Sequence, residues 1–304
     1  VGGSGRGRGA QWANPSPSAS RGCDTPVKNQ SMTIVCVDPG PRHHATTDGS
    51  LELRYQPEID LDSGAIFAME GLLRWHHGDL GLLNPDAFLD LAIRSGDIDD
   101  IGAWVLRTGA AEAASWRTLH GPARQLRLNV NTEQLQAEGF AELVSSVVQE
   151  AGLGPATLGL ELSERTILAL GHDAAPLLLS LRAAGVALVV DDFTSYFAAL
   201  GAIEALPVDG IKLGHRYVRG VGDADHDDSL VTSVIERAHS RGLYVVAEGV
   251  ETWSEHARLI ALGCDRAPGW LFAPAQRSDT ARWPLTQGTG GRSGAVGSQA
   301  CGVT

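Results

Sequence analysis

Seven short apolar runs, separated by longer stretches with helical periodicity, constrain this chain more than any other feature. They are Leu51 to Gln56, Ala65 to Arg74, Gln125 to Asn131, Leu158 to Ser163, Val186 to Asp191, Val208 to Leu213 and Leu243 to Glu248. Brief runs rich in Val, Leu and Ile that alternate with amphipathic segments predict a parallel sheet built from βα units. At or near their carboxyl ends stand residues able to hold or serve a divalent metal: Glu70, Asn129, Glu161, Asp191 with Asp192, Lys212 and Glu248, and Gln56 closes the earliest run. In a (β/α)₈ barrel of the TIM type, an α/β architecture, those ends converge on one face. Carboxylates gathered there repel one another unless cations neutralise them, so the pattern predicts a metal-dependent active site.

Composition bounds the rest. A chain of 304 residues and 32.0 kDa, 43% hydrophobic, suffices for one barrel with tails and is too short for a second sizeable domain. A net charge of -12 and a pI near 5.2 argue against binding a nucleic acid polymer through a basic surface. The most apolar long window, Leu177 to Val190, is broken by Arg182 and Gly185, so no membrane span is expected. Cys23, Cys36, Cys264 and Cys301 contain no CxxC pair, which indicates neither a disulfide framework nor a zinc site and makes a reducing cytoplasm the expected compartment.

Residues 1–49 and 277–304 are rich in Gly, Ser, Pro and Arg without apolar periodicity, and are expected to be disordered tails around a barrel domain at 50–276. Met32, or a valine-type start upstream, is the expected natural start. Helical spacing occurs over Pro85 to Arg94, Asp99 to Trp116, Glu133 to Ala151, Ala174 to Ala184, Tyr196 to Leu206, Ser229 to Arg241 and Trp253 to Leu262. Gly152, Gly185, Gly242 and Gly263 are placed to end four of these in left-handed caps.

Seven blocks stand in an order and spacing that resembles the EAL domain, the family containing the cyclic di-GMP phosphodiesterases. They are Tyr55-Gln56-Pro57, Glu70-Gly71-Leu72-Leu73-Arg74-Trp75, Leu128-Asn129-Val130-Asn131, Leu160-Glu161-Leu162-Ser163-Glu164, Asp191-Asp192-Phe193, Leu206-Pro207-Val208-Asp209-Gly210-Ile211-Lys212 and Ala247-Glu248-Gly249-Val250-Glu251. The resemblance covers about Leu51 to Pro274. It implies a barrel whose first strand runs antiparallel to the others, and hydrolysis of cyclic di-GMP to linear pGpG. Two metal ions per site are implied, and oxygen ligands suit Mg²⁺ or Mn²⁺. Glu70, Asn129, Glu161 and Asp191 match the metal-holding positions, with Asp192 assisting at the second ion. Lys212 and Glu248, with Glu70, match the catalytic positions. Gln56, Leu72 and Arg74 match residues that face the ligand, where a guanidinium can grip a phosphate. Glu164 and Glu251 match positions that orient these groups. A homodimer is compatible with the family, and a regulatory protein partner with a member that has lost activity.

Plainer readings stand beside these. The Asp191-Asp192 pair equally suits the start of a helix near Ser195, Lys212 and Glu248 suit solvated strand ends, and Asn129 suits a turn. His76-His77 looks like a ligand pair but is expected at the surface, in a Gly-Asp turn after the second strand. The sequence also departs from the family pattern near the chemistry. Asp-Asp-Phe-Gly-Thr-Gly is replaced by Asp191-Asp192-Phe193-Thr194-Ser195-Tyr196, which predicts strain at Thr194 and Tyr196 if positive φ is required. Gly214 stands in place of an acid in the lysine block, and Pro268 in place of a glutamine before Gly269-Trp270-Leu271-Phe272. These changes predict weak hydrolysis or, alternatively, an inactive receptor.

Overall fold

The structure is a computed structural model that describes residues 49–120, 125–193, 206–223, 226–268 and 274–278, with side chains as far as Trp116 in the first span. The expected tails, apart from Gly49, Arg277 and Ser278, lie outside the described residues, as do Cys23, Cys36, Cys301, Thr194 to Tyr196, most of the helix expected at Tyr196 to Leu206, and Gly269 to Phe272.

Nine strands are described: β1 (Leu51–Asp60), β2 (Ile66–His77), β3 (Gly81–Leu83), β4 (Gln125–Val130), β5 (Leu158–Ser163), β6 (Ala187–Phe193), β7 (Gly210–Leu213), β8 (Tyr244–Ala247) and β9 (Arg266–Pro268). Their order is β1-β9-β8-β7-β6-β5-β4-β2-β3, and β1 also pairs with β2, so eight strands close into a barrel and β3 extends β2 as a hairpin. Strand β1 is antiparallel to both neighbours, as expected. The cause is local: only Leu61 to Ala65 join β1 to β2, too short for a crossover, and Gly64 turns the chain at φ +68° with its N–H donated to Asp60 O at 2.8 Å. The remaining barrel pairs are parallel.

The period-two alternation of each strand sorts core from site. On β4, the buried Leu126, Leu128 and Val130 alternate with Gln125, Arg127 and Asn129; on β5, Leu158, Leu160 and Leu162 alternate with Gly159, Glu161 and Ser163. The leucines face the helices: a Cβ added at Gly109, in the helix Ile98–His120, would lie 2.8 Å from Leu128 Cδ1 and 3.1 Å from Leu126 Cδ2. A side chain there would push the helix off the barrel. The other parity points to the barrel interior, where charged side chains accumulate.

Gly152, Gly185, Gly242 and Gly263 have φ of +62°, +90°, +74° and +84°, as expected of helix-ending glycines. Several helices differ from expectation. The segment expected as one helix from Glu133 splits into Thr132–Gln136 and Phe140–Glu150 around Gly139 at φ +81°, and Pro85–Ala87 is a 3₁₀ turn preceding Leu89–Ser95. An unanticipated helix, Glu164–Leu170, follows β5, with Ser163 Oγ accepting the Thr166 N–H at 3.1 Å. His76 and His77 lie within β2, opposite Leu82 and Gly81 of the hairpin, not in the turn after it. Antiparallel pairing with β3 extends the strand past its apolar run. No described helix is long and apolar enough to cross a membrane.

Candidate active site

At the carboxyl ends of the strands one ammonium gathers four carboxylates. Lys212, on β7, is fully buried, and its Nζ lies 2.8 Å from Glu248 Oε1, 3.0 Å from Glu161 Oε2, 3.1 Å from Glu70 Oε2 and 3.5 Å from Asp191 Oδ1. The partners come from β2, β5, β6 and the segment after β8, which only barrel closure brings together. Ladder register explains the convergence. Glu161 pairs with Asn129 across β4 and β5, Ser163 with Asp191 across β5 and β6, and Glu248 donates its backbone N–H to Leu213 O at 3.0 Å.

Four acids around one base leave an excess of negative charge. Burial, then the neighbouring Glu70, pushes the Glu161 carboxyl well above the usual carboxylate range despite Lys212. Burial pushes Glu248 up to about 7 against the pull of Lys212, with Asp191 and Glu70 adding to the rise. For Lys212, burial disfavours the charged form, but Asp191, Glu161, Glu248 and Glu70 together outweigh it and hold the ammonium well above its ordinary range. The plain reading of Lys212 as a solvated strand end is therefore wrong.

The remaining expected residues are distributed around this centre. Asn129 donates from Nδ2 to Glu70 Oε1 at 3.1 Å. Asp192 sits at the rim in a left-handed conformation, φ +47°, its N–H donated to Asp191 Oδ1 at 2.8 Å. Burial, then Asp191, raises its carboxyl, and Arg216 opposes the shift. Asp191 and Asp192 belong to β6, which runs on to Phe193, so they end a strand. Gln56 pairs with Glu70, and Arg54 with Leu72, across β1 and β2. Arg74, two positions beyond Leu72, is half-buried and donates from Nη1 to Leu73 O at 2.7 Å. Glu164 is buried at the start of the helix after β5, whereas Glu251 is exposed and its N–H is donated to Glu255 Oε2 at 2.9 Å. His76 Nε2 is 2.9 Å from Glu52 Oε2 on β1, and His77 Nδ1 accepts the N–H groups of Asp79 and Leu80 at 3.2 and 3.3 Å, so the two rings turn to different partners and the second organises the hairpin.

Beneath the carboxylates lies a charged floor that sequence reasoning missed. Arg127, completely buried, pairs through Nη1 with Glu58, donates from Nη2 to Tyr244 Oη at 3.0 Å and from Nε to Gln125 Oε1 at 2.8 Å. The same Nη1 is 3.9 Å from Glu161 Oε1. The Arg266 guanidinium carbon lies 3.4 Å from the Phe67 ring centre and 3.7 Å from that of Tyr244. Strand parity was the available signal: Glu58 follows Gln56 by two positions on one strand face, and Arg127 precedes Asn129 by two. Of the expected departures, Gly214 opens the short helix His215–Val218, and Pro268 is the last residue of β9, opposite Glu58.

Carboxylates and an amide are the donors a hard divalent cation takes. Glu161 Oε1, buried without a hydrogen-bond partner, is a lone acceptor of the kind such an ion satisfies. Among the described residues no group of three or more carboxylate, histidine or cysteine side chains is arranged to hold a metal ion as it stands, and the point on which the four acids converge is taken by the Lys212 ammonium. The residues thus fit a divalent cation by donor type, and holding one requires the acids to share themselves between it and the ammonium.

Comparison with known proteins adds likenesses of sequence and fold. The family model described as the EAL domain matches residues 42–275. The Mycobacterium tuberculosis protein Rv1354c is 34% identical over 225 residues, 74% of this chain and 36% of that protein. Cyclic di-GMP phosphodiesterase NbdA of Pseudomonas aeruginosa is 33% identical over 229 residues, 75% of this chain and 29% of that protein. The chain thus spans about a third of the length of these curated relatives. The solved PaMucR phosphodiesterase in its c-di-GMP complex superimposes with a TM-score of 0.73 at 28% identity, covering 77% of this chain and 95% of that one.

Proposed function

Because the chain belongs to the EAL domain family, we propose that it binds cyclic di-GMP and hydrolyses one phosphodiester bond to give linear pGpG, with weak turnover. The observation that carries this reading is the convergence of Glu70, Glu161, Asp191 and Glu248 on Lys212 at the carboxyl ends of barrel strands. Four acids gathered at one point, Glu161 buried and the other three partly so, repel one another unless cations neutralise them. Glu70, Asn129, Glu161 and Asp191, with Asp192 at a second position, would hold two Mg²⁺ or Mn²⁺ ions. When bound, such ions supply positive charge against phosphoryl oxygens and acidify a water.

The chain's own residues do the rest. Gln56, Leu72 and Arg74 line the β1–β2 rim, where the Arg74 guanidinium meets a phosphate and holds the phosphorus over the carboxylates. Lys212 stays cationic, so it orients an incoming oxygen and does not take its proton. Glu248, raised to about 7, is suited to accept that proton at neutral pH. A water oxygen bonds to phosphorus, the bond to one ribose oxygen breaks, and that oxygen leaves as a hydroxyl after taking up a proton. Glu164 and Glu251 act by holding the loops above these groups.

A second reading, an inactive module that receives cyclic di-GMP or regulates a partner protein, is favoured by Gly214, which puts no acid beside the Lys212 strand end. Incubation with cyclic di-GMP and Mn²⁺ followed by chromatography separates the two, with binding measured in Ca²⁺. Appearance of pGpG establishes the enzyme, binding without product selects the receptor, and neither outcome removes cyclic di-GMP from the account. The proposed compartment is the cytoplasm, and a homodimer is the proposed assembly if the protein is not monomeric.

A further inference from the structure

Glu161 Oε1 faces Arg127 Nη1 at 3.9 Å, beyond hydrogen-bond reach, and both groups are completely buried. Two opposite charges that close together in a dry interior would ordinarily close the gap, since a buried carboxylate oxygen without a partner is costly. What prevents it is visible below them. Arg127 Nη1 is engaged by Glu58 Oε2, Nη2 by the Tyr244 hydroxyl and Nε by Gln125, so the hydrogen bonds of the guanidinium go to these partners and Glu161 is met only by a long ion pair. Glu161 is consequently tied only through its other oxygen, to Lys212, and its Oε1 is left unpartnered at the floor of the site.

We propose that Glu58 is a positioning residue that keeps Arg127 off Glu161, so that one oxygen of a metal-holding carboxylate stays available. This rests on the reading of Glu161 as a ligand of a divalent cation. Neutralising Glu58 removes the anion that balances Arg127, and the carboxylate that remains beside its Nη1 is Glu161, 3.9 Å away. The guanidinium then closes the 3.9 Å ion pair to hydrogen-bond distance, and a divalent cation must compete with it. Glu58 makes its hydrogen-bonded contact with the site through Arg127, though Lys212 and Glu70 also act on it through space, and its strand-mate Gln56, two positions before it, serves the ligand rim on the same face.

The test is Mn²⁺ binding by calorimetry on the full chain without nucleotide, so that turnover plays no part in the readout. Glu58→Gln is expected to weaken Mn²⁺ binding at least about tenfold, equivalent to roughly 1.4 kcal/mol. Adding Arg127→Met to that variant is expected to restore the affinity to within about threefold of the parent, because the competing cation is gone. A general structural role for Glu58 predicts no such recovery. Unchanged affinity in Glu58→Gln, or an equally weak double variant, overturns the proposal. Should Glu58→Gln fail to fold, Glu58→Asp carries the test: it keeps the charge, shortens its reach to Arg127, and is expected to weaken binding by a smaller factor, with parental affinity counting against the proposal. If the parent itself binds no Mn²⁺, the metal reading falls and this inference with it.

Discussion

Lys212 Nζ lies 2.8 Å from Glu248 Oε1, on the neighbouring strand end, the shortest of its four carboxylate contacts. The ammonium thus stands where the acids would otherwise repel one another, and it is as much a counter-ion as a catalytic group. In a metal-free barrel it is the one cation in contact with Glu70, Asp191 and Glu248 among the described residues.

Lys212→Met is therefore expected to lower metal-free stability by about 3 to 5 kcal/mol, the range for removing one member of a buried charge cluster. Protonation of Glu161 and Glu248 will absorb part of that loss. Mn²⁺ should raise the melting temperature of the variant more than that of the parent, because the ion replaces a missing charge. Thermal melts with and without Mn²⁺ check this, and equal increments in the two proteins would refute the counter-ion role.

The Glu248 carboxyl gives a pH dependence with a defined sign. Its ordinary value is 4.5 and its folded value about 7, so between them the folded state binds more protons than the unfolded one. The resulting stabilisation is complete below the unfolded value and is lost as pH rises through about 7. Glu161, also raised, acts in the same direction. Metal-free melting temperature should fall between about pH 5 and pH 8, and less steeply in Glu248→Gln. Parallel pH profiles for parent and variant would show that Glu248 does not titrate there.

Arg74→Ala is expected to weaken cyclic di-GMP binding by about 1.5 to 3 kcal/mol, the worth of a charge-assisted hydrogen bond, with little change in melting temperature. Burial and the adjacent Arg54 already depress the Arg74 guanidinium, which an incoming phosphate would relieve. Isothermal titration in Ca²⁺ measures the effect, and equal affinity removes Arg74 from the ligand site.

The readable part of this site is set by strand parity. Glu161 stands out because Leu160 and Leu162 flank it on the opposite face, and Lys212 because Ile211 and Leu213 do the same. The role of Lys212 as the hub was not readable, since its partners come from strand ends up to 142 residues away in sequence. Glu58 and Arg127 obey the same parity, yet the first apolar run, Leu51 to Gln56, does not reach Glu58. The strand in fact continues, and Pro57 pairs with Met69 at its seam. Strain was expected from lost glycines at Thr194 and Tyr196, which lie outside the described residues; Asp192, two positions before Thr194, is left-handed at φ +47° and carries no glycine signal. The helix Glu164–Leu170 was missed because its apolar positions directly follow a strand, and only the Ser163 cap marks the change of period.

Gly214 offers the final prediction. Its φ of -59° and ψ of 147° are open to any residue, so glycine there gains no backbone freedom that the fold requires. It opens the helix His215–Val218 without a side-chain cap. Gly214→Asp should therefore stabilise the fold by about 0.5 to 1 kcal/mol, through a less flexible unfolded chain and a carboxylate at the helix start. It also returns a negative group two positions from Lys212, where extra charge raises the demand for a divalent cation. Combined with Thr194→Gly and Tyr196→Gly, it is expected to raise pGpG formation at least about tenfold, or roughly 1.4 kcal/mol of barrier, with each single change doing less. Melting temperature and product chromatography report on the two effects separately. A more stable triple variant with an unchanged rate would confine Gly214 to the helix start and move suspicion to Pro268, whose ring sits opposite Glu58 where β9 closes against β1.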